Sequence, residues 1–435
     1  MKKEMEDTII IGAGMTGLAA GYRTGYPVYE AGEYPGGICS SYYIRPGETR
    51  RLDREPEDGE AYRFEIGGGH WIFGAEPDVL DFIESLTSVQ TYLRKAAVLF
   101  SRKSKFVPYP IQNHLSYLGE DQARDIIREI NSAGEEIPRT MNEWLLKNFG
   151  PILGKLFFGP FHEMYTAGLY KKIAPQDAYK SPVDIETVIR GAAGETGPVG
   201  YNAQFAYPVS GLDTLARKLA EKADVRYKKQ AVRLDIENNV VHFADGTAAS
   251  YRKLISTVPL NRAMEMAELE APGSPEPFSS VLELNIGARK GPNCPEDHWL
   301  YIPDSSSGFF RIGFYSNVNP SFIPRSARTK EDRVGIYVER AYPGGEMPDE
   351  EELEVYKKAV EDELQGLGFI GEVEINDHTW IDVAYTWSWP ENPWKEEALK
   401  VLAENDIIQA GRYARWGFQG IAVSIKEGLS LAGVL

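Results

Sequence analysis

The stretch Thr8-Ile9-Ile10-Ile11-Gly12-Ala13-Gly14-Met15-Thr16-Gly17-Leu18-Ala19-Ala20 constrains this chain more than any other. A run of β-branched residues enters Gly-x-Gly-x-x-Gly and leaves into small helix formers, which is the order strand, tight turn, helix. Gly12 can take dihedrals that a side chain forbids, Gly14 lets backbone approach a pyrophosphate, and Gly17 lets the helix pack closely on the strand. The helix start then offers unpaired N–H groups and a partial positive charge to phosphates. Eighteen positions after Gly12, the short strand Val28-Tyr29 ends in Glu30, close to the ~20-residue spacing of a carboxylate that accepts from a ribose. The pattern predicts a Rossmann-like dinucleotide-binding unit. Its plain alternative is a glycine-rich turn that holds nothing.

Three further stretches bear on which dinucleotide. Gly36-Gly37-Ile38 follows the ribose acid and lets the chain fold back over the pyrophosphate, a feature commoner in FAD than in NAD domains; an ordinary turn is the competing reading. Gly67-Gly68-Gly69-His70 can bring backbone against something flat, with His70 at its edge. Near the end, Gly411 allows close approach and Arg412 can pair with a pyrophosphate through two N–H groups. The helix expected from about Ala422 to Leu435 could aim its positive end at an isoalloxazine. An exposed loop arginine competes with that reading.

Composition excludes several classes. A net charge of −17 opposes nucleic acid as a partner, because phosphate neutralisation needs clustered Lys and Arg. Cys39 and Cys294 are the only cysteines, so neither a disulfide framework nor a zinc site is expected, and no metal is called. The charged start followed at once by a strand predicts no secretory leader. No apolar run approaches the ~20 residues of a membrane span. A soluble, cytoplasmic chain is expected. The acidic segment Asp349 to Glu363 reads as a solvated helix face.

At 435 residues the chain predicts two to three domains. Periodicity from Pro77 to about Asn148 is read as helical, with helices at Asp78 to Leu86, Glu120 to Ile130 and Thr140 to Phe149. Between them, Phe106 to His114 is stiffened by prolines, and Leu156 to Tyr165 is densely aromatic. Ile189 to Gly200, with four glycines, is read as a flap. Strands at Phe205 to Tyr207, Val225 to Tyr227, Ala231 to Ile236, Val240 to Phe243 and Lys253 to Ser256 return the chain to the first unit. A second, antiparallel sheet follows, at Val281 to Ala288, Trp299 to Ile302, Phe309 to Tyr315, Val334 to Arg340 and Thr379 to Tyr385. The expected architecture is α/β: a discontinuous dinucleotide-binding domain over 1–75, 201–260 and 405–435, a helical insertion over 76–200, and an antiparallel substrate domain over 261–404.

Taken in order, these motifs resemble the flavin-dependent UDP-galactopyranose mutases, particularly the eukaryotic type, and more distantly the amine oxidase and protoporphyrinogen oxidase flavoproteins. The likeness is carried by Pro35-Gly36-Gly37, Gly68-Gly69-His70, Val107-Pro108-Tyr109-Pro110-Ile111-Gln112-Asn113, Trp299 to Pro303, Arg311 with Tyr315-Ser316-Asn317, and Gly411-Arg412-Tyr413 with Trp416. It implies FAD contacts from Thr16, Glu30, Ile38, Gly69, His70, Val232, Arg412 and Ser424. It places Tyr109, Gln112 and Phe157 at the nucleotide end of a substrate, Asn202 on the sugar side, and Tyr301 and Arg311 on the diphosphate. Where the family has a second diphosphate arginine this chain has Lys180, which loses the planar fork. Trp387 (or Trp389) and Phe418 stand where two tyrosines are expected.

The resemblance implies a nucleotide-sugar mutase that contracts a pyranose to a furanose through an N5 adduct of reduced FAD, without net electron transfer. Arg311 would stabilise the leaving diphosphate, and His70 would orient the flavin edge. The implied partner is a small molecule, a nucleotide sugar. The apolar Trp387, Trp389 and Phe418 motivate an alternative: an oxidase or dehydrogenase of an amine or a protoporphyrinogen-like ring. A flavin-bearing binding protein without turnover is the third reading.

Overall fold

The computed structural model describes residues 6–132, 134–176, 184–195, 197, 200 and 202–433. The strands, in chain order, are β1 (Glu6–Ile11), β2 (Val28–Tyr29), β3 (Ser41–Ile44), β4 (Tyr62–Glu65), β5 (Val89–Leu93), β6 (Ala96–Phe100) and β7 (Lys105–Pro108). After a helical stretch come β8 (Gln204–Pro208), β9 (Val225–Arg226), β10 (Ala231–Asp235), β11 (Val240–Phe243) and β12 (Ala248–Ser256). β13 (Phe278–Lys290), β14 (Trp299–Tyr301), β15 (Arg311–Phe314), β16 (Arg333–Pro343), β17 (Ile370–Thr386) and β18 (Ile407–Gln409) complete the set.

The first sheet runs β10-β11-β12-β1-β2-β9, with β18 also on β12. β1 lies parallel between β12 and β2, with Ile10 opposite both Ile255 and Val28. A strand flanked and covered in this way is buried on both faces. That is why Ile9, Ile10 and Ile11 form a continuous apolar run rather than an alternating one, and all three are buried. The helix Met15–Thr24 follows directly. The helix Ile421–Ser430 returns the chain to it, and a Cβ on Gly428 would overlap the carbonyl oxygen of Thr16. The C-terminal segment is therefore packed on the first motif.

The second sheet runs β17-β13-β16-β15-β14-β6-β7. Its pairs are antiparallel except β14 with β6. Alternation sorts its two faces. Leu282, Leu284, Ile286, Ile336 and Val338 pack beneath the helix Glu350–Gly366, against Leu353, Val360 and Leu364. Asp349 and Glu352 form a capping box at the start of that helix, which has the predicted acidic, solvated face. The intervening sheet residues Glu283, Asn285 and Glu339 turn to the opposite face, and all three are buried there.

The helical expectation for 77–148 is corrected in its middle. Helices form at Pro77–Leu86, Glu120–Asn131 and Met141–Leu153, but β5, β6 and β7 lie between the first two. Ala96-Ala97-Val98-Leu99-Phe100 is a short, wholly apolar run, and periodicity cannot tell such a run from a buried helix. Its pairing with β14, about two hundred residues on, makes it a strand. The aromatic run enters the helix Gly159–Tyr165.

The segment read as a flap begins as the end of a helix, Ile185–Ala192, capped by Asp184. Gly191 sits so close to Asn113 that a Cβ would overlap its carbonyl oxygen. The rest of that segment lies partly outside the described residues, as does Lys180. Among the described residues no helix is long and apolar enough to cross a membrane, and no group of three or more His, Cys, Asp or Glu could hold a metal.

Candidate functional site

One cavity of about 450 Å³ runs from the first glycine turn to Tyr109, Phe157, Asn202 and Tyr301. At the end formed by the Gly-x-Gly-x-x-Gly turn, the three glycines have different surroundings. Gly12 has φ +94°, and a Cβ there would overlap Thr257 Oγ1. A Cβ on Gly17 would overlap the Gly12 carbonyl oxygen, so strand and helix touch at that point. Gly14 has nothing within 4 Å of where its Cβ would be, and it opens on the cavity. Gly14 is also the N-cap of the Met15–Thr24 helix, without a side-chain cap. Open space, unspent helix N–H groups and a bare backbone suit a pyrophosphate.

Gly36 and Gly37, at φ +110° and +57°, fold over this turn. Gly36 N–H donates to the Ala13 carbonyl at 2.8 Å. Glu30 accepts from Ala13 N–H at 2.6 Å and Gly32 N–H at 2.8 Å, tying the turn to the following loop. Thr16, Ile38, Gly69, Gly411, Arg412 and Ser424 line the cavity with them. Gly12, Gly17 and Glu30 stand behind its wall. Val232 is 47% exposed on β10 and is not part of the lining.

His70 lines the cavity, its ring against Gly67. Burial, helped by the positive charges of Arg412 and Arg311, pushes its pKa down to about 4. At neutral pH it is an uncharged imidazole with one donor and one acceptor. Arg412 donates to the Ala384 carbonyl at 3.1 Å and lies over the rings of Phe418, Tyr385 and Tyr413. Cys39 also lines the cavity, and burial raises its thiol to about 12.

At the other end, β14, β15 and β16 put Tyr301, Arg311 and Glu339 side by side in register. Arg311 grips Glu339 in a two-pronged pair, through Nη2 to Oε1 at 2.6 Å and through Nε to Oε2. The Tyr109 ring packs on Tyr301 at 4.8 Å between centroids, and Phe157 meets the Tyr301 edge at 6.3 Å. Phe158, Phe161, Tyr165, Phe310 and Tyr385 complete an aromatic wall.

Two substrate-side expectations fall elsewhere. Gln112 is 1% exposed, in the short turn Ile111–Asn113, and does not line the cavity. Trp387 does not line it either: it is buried behind Tyr165, and its indole N–H donates to Ser279 Oγ at 3.1 Å. Tyr385, two residues earlier, lines the cavity and brings a phenol with it. Three aromatics at period two in Tyr385-Thr386-Trp387-Ser388-Trp389 look alike in sequence until the end of β17 at Thr386 is placed. Phe418 does line the cavity.

Arg94 was not anticipated. It donates to the Tyr109 carbonyl at 2.9 Å and to Asn202 Oδ1, so it holds two lining residues together. No motif surrounds Arg94. Glu339 was missed as well, and only its register opposite Arg311 reveals it.

No protein-family model matches this chain. Among solved structures it is similar to reduced UDP-galactopyranose mutase, with TM-score 0.82 and 22% identity over 99% of this chain and 96% of that one. It is also similar to the CLA-producing fatty acid isomerase from P. acnes, with TM-score 0.57 and 14% identity over 100% and 99% of the two chains. Putrescine oxidase bound to putrescine gives TM-score 0.56 and 15% identity over 99% and 98%. What the four chains share is the fold, a mixed α/β architecture that agrees with the α/β class expected from the sequence.

Proposed function

We propose that this chain is an FAD-dependent enzyme that rearranges a nucleotide sugar without net oxidation, as a UDP-galactopyranose mutase-like catalyst of pyranose-to-furanose ring contraction. One observation carries the reading: a single cavity joins the glycine cradle to Tyr109, Phe157, Tyr301 and Arg311. The higher TM-score to the mutase, 0.82 against 0.56 to the oxidase, supports it.

In this reading Gly14, Thr16, Gly36, Gly37, Arg412 and Ser424 hold the cofactor's pyrophosphate and flavin, and Glu30 braces the turn beneath the adenosine. Bound in its reduced form, FAD supplies an electron-rich ring nitrogen able to react at an anomeric carbon. Arg311, already oriented by Glu339, stabilises the charge that develops on a departing diphosphate. His70, uncharged, orients its neighbours by hydrogen bonding without adding positive charge. The aromatic wall excludes water from the opened sugar. Lys180 is proposed as a second contact to the diphosphate, and Asn202 as a contact to the sugar. The test is to incubate dithionite-reduced, FAD-loaded protein with UDP-galactopyranose and other nucleotide hexoses and separate the products. A furanose isomer from at least one sugar is expected, and no new isomer from any of them sinks the reading.

A second reading, an oxidase or dehydrogenase of an amine or an apolar ring, is favoured by the aromatic wall of Phe158, Phe161, Tyr165, Phe310 and Tyr385. Oxygen uptake and flavin bleaching with candidate amines or porphyrinogens distinguish it, since the rearrangement consumes neither electrons nor oxygen.

A further inference from the structure

Behind the cavity wall lies a second carboxylate that the proposed chemistry does not use. Glu283 on β13 is directly opposite Glu339 on β16, which is directly opposite Arg311 on β15. Cross-strand partners point to one face with Cβ atoms about 5 Å apart. Glu283 is completely buried, and neither of its oxygens has a hydrogen-bond partner. Its carboxyl lies against Gly68, where a Cβ would come within 2.7 Å of it, so it fills the space beneath the turn that carries His70. The charged and titratable groups around it are Glu339, Arg311, Tyr337, Tyr315 and Tyr356.

Arg311 is the one cation in this set, and Glu339 already occupies two of its N–H directions. Two adjacent buried carboxylates facing one guanidinium would leave an uncompensated negative charge out of water. Burial, and the charge on Glu339, raise the Glu283 pKa well above the carboxylate range.

We propose that the pair Glu283 and Glu339 holds one proton, carried by Glu283, and that the pair is the positioning device for Arg311. Glu339 fixes the guanidinium plane toward the cavity. Glu283 carries the proton, so the three groups together are neutral and Arg311 is not drawn back toward β13. This goes beyond the proposed function, since that proton is a property of the ligand-free holoenzyme. Only its consequence for a diphosphate rests on that reading.

The test is infrared spectroscopy of the FAD-loaded protein carrying carbon-13 in its glutamate carboxyl groups. At about pH 9, where Glu65 with its pKa of about 7 is ionised, the wild type is expected to show a buried, protonated carboxyl band that moves with the label. Glu283→Gln is expected to lose it. Glu339→Gln is expected to lose it too, because Glu283 then ionises against Arg311. A wild type without the band, or a band that persists in Glu339→Gln, overturns the proposal. The labelled wild type decides the first point even if a variant fails to fold.

Affinity for UDP supplies the second readout. Glu283→Gln, which stands for the protonated acid, is expected to bind within about twofold of wild type, and Glu339→Gln roughly tenfold more weakly, since the guanidinium is displaced. The reverse order overturns the positioning role. A wild type that shows the band yet binds no UDP overturns the nucleotide-sugar reading and leaves the proton on Glu283 standing.

Discussion

The glycine turn and the rung Tyr301, Arg311 and Glu339, with Glu283 behind it, belong to the same cavity, yet they are held in place differently. The turn is local: Gly12 and Gly17 lie within one strand-turn-helix unit, and backbone contact between them shapes it. The rung is assembled from four strands whose members lie up to 56 positions apart in the chain, Glu283 to Glu339. A local device depends on the size of a few residues, and a rung depends on sheet register and on charges that are paired only after folding. Steric change should therefore destroy the first, and charge change should retune the second.

The largest effect expected from this contrast is at Gly17. Gly17→Val drives a side chain into the Gly12 carbonyl, and a loss of more than about 4 kcal/mol is expected from that overlap. Thermal unfolding and flavin content should both collapse. Gly14→Ala, facing open space, should leave the melting temperature nearly unchanged while FAD affinity drops about tenfold or more by titration. If both variants melt alike, the division of labour within the turn is wrong.

On the rung, Arg311→Ala should keep its flavin but lower kcat for a nucleotide sugar by about 10²-fold or more. Retained turnover would move leaving-group stabilisation elsewhere.

A pH effect of intermediate size sharpens the comparison. Glu65 precedes the His70 turn and is fully buried; it accepts from Ser41 Oγ at 2.9 Å and from the Tyr207 hydroxyl. Burial first, with a smaller contribution from Asp213, raises its pKa from 4.5 to about 7. A raised carboxylate binds more protons in the folded state between those values, so its stabilising contribution is complete below about 4.5 and is lost as pH rises through about 7. His70, lowered from 6.5 to about 4, acts with the opposite sign. Its folded state binds fewer protons, and stability rises with pH across that window. Urea denaturation should show Glu65→Gln gaining relative to wild type between about pH 5 and 7, by on the order of 3 kcal/mol at most.

The smallest effect expected is at Trp387. Trp387→Phe removes the indole bond to Ser279 and should cost about 1 kcal/mol of stability with KM unchanged. Tyr385→Phe, at the cavity, should do the reverse.

How much was legible follows the same line. The strand-turn-helix through Gly12, Gly14 and Gly17 and the turn at Gly36-Gly37 could be read because each is shaped within a few dozen residues, whereas Glu30, expected at a ribose, stands behind the wall and accepts from Ala13 and Gly32 N–H. β6 is missed within the span read as helical because its five apolar residues carry no period, and β14 decides the matter from far along the chain. Trp387 is expected at the cavity and lies behind it, because alternation identifies a face but not where a strand ends. Arg94 stood outside any motif, and its partners Tyr109 and Asn202 are 15 and 108 positions away.

From its amino-acid order alone this chain specifies a strand-turn-helix cradle open at Gly14, two sheets of different character, and an aromatic, arginine-bearing lining. Backbone sterics and side-chain period are local properties, and they survive being read one residue after another. Which carboxylates meet Arg311, which tyrosine reaches the cavity, and how the last helix closes on Thr16 were settled by tertiary structure. Those outcomes depend on register between distant strands and on burial, and both exist only once the chain has folded.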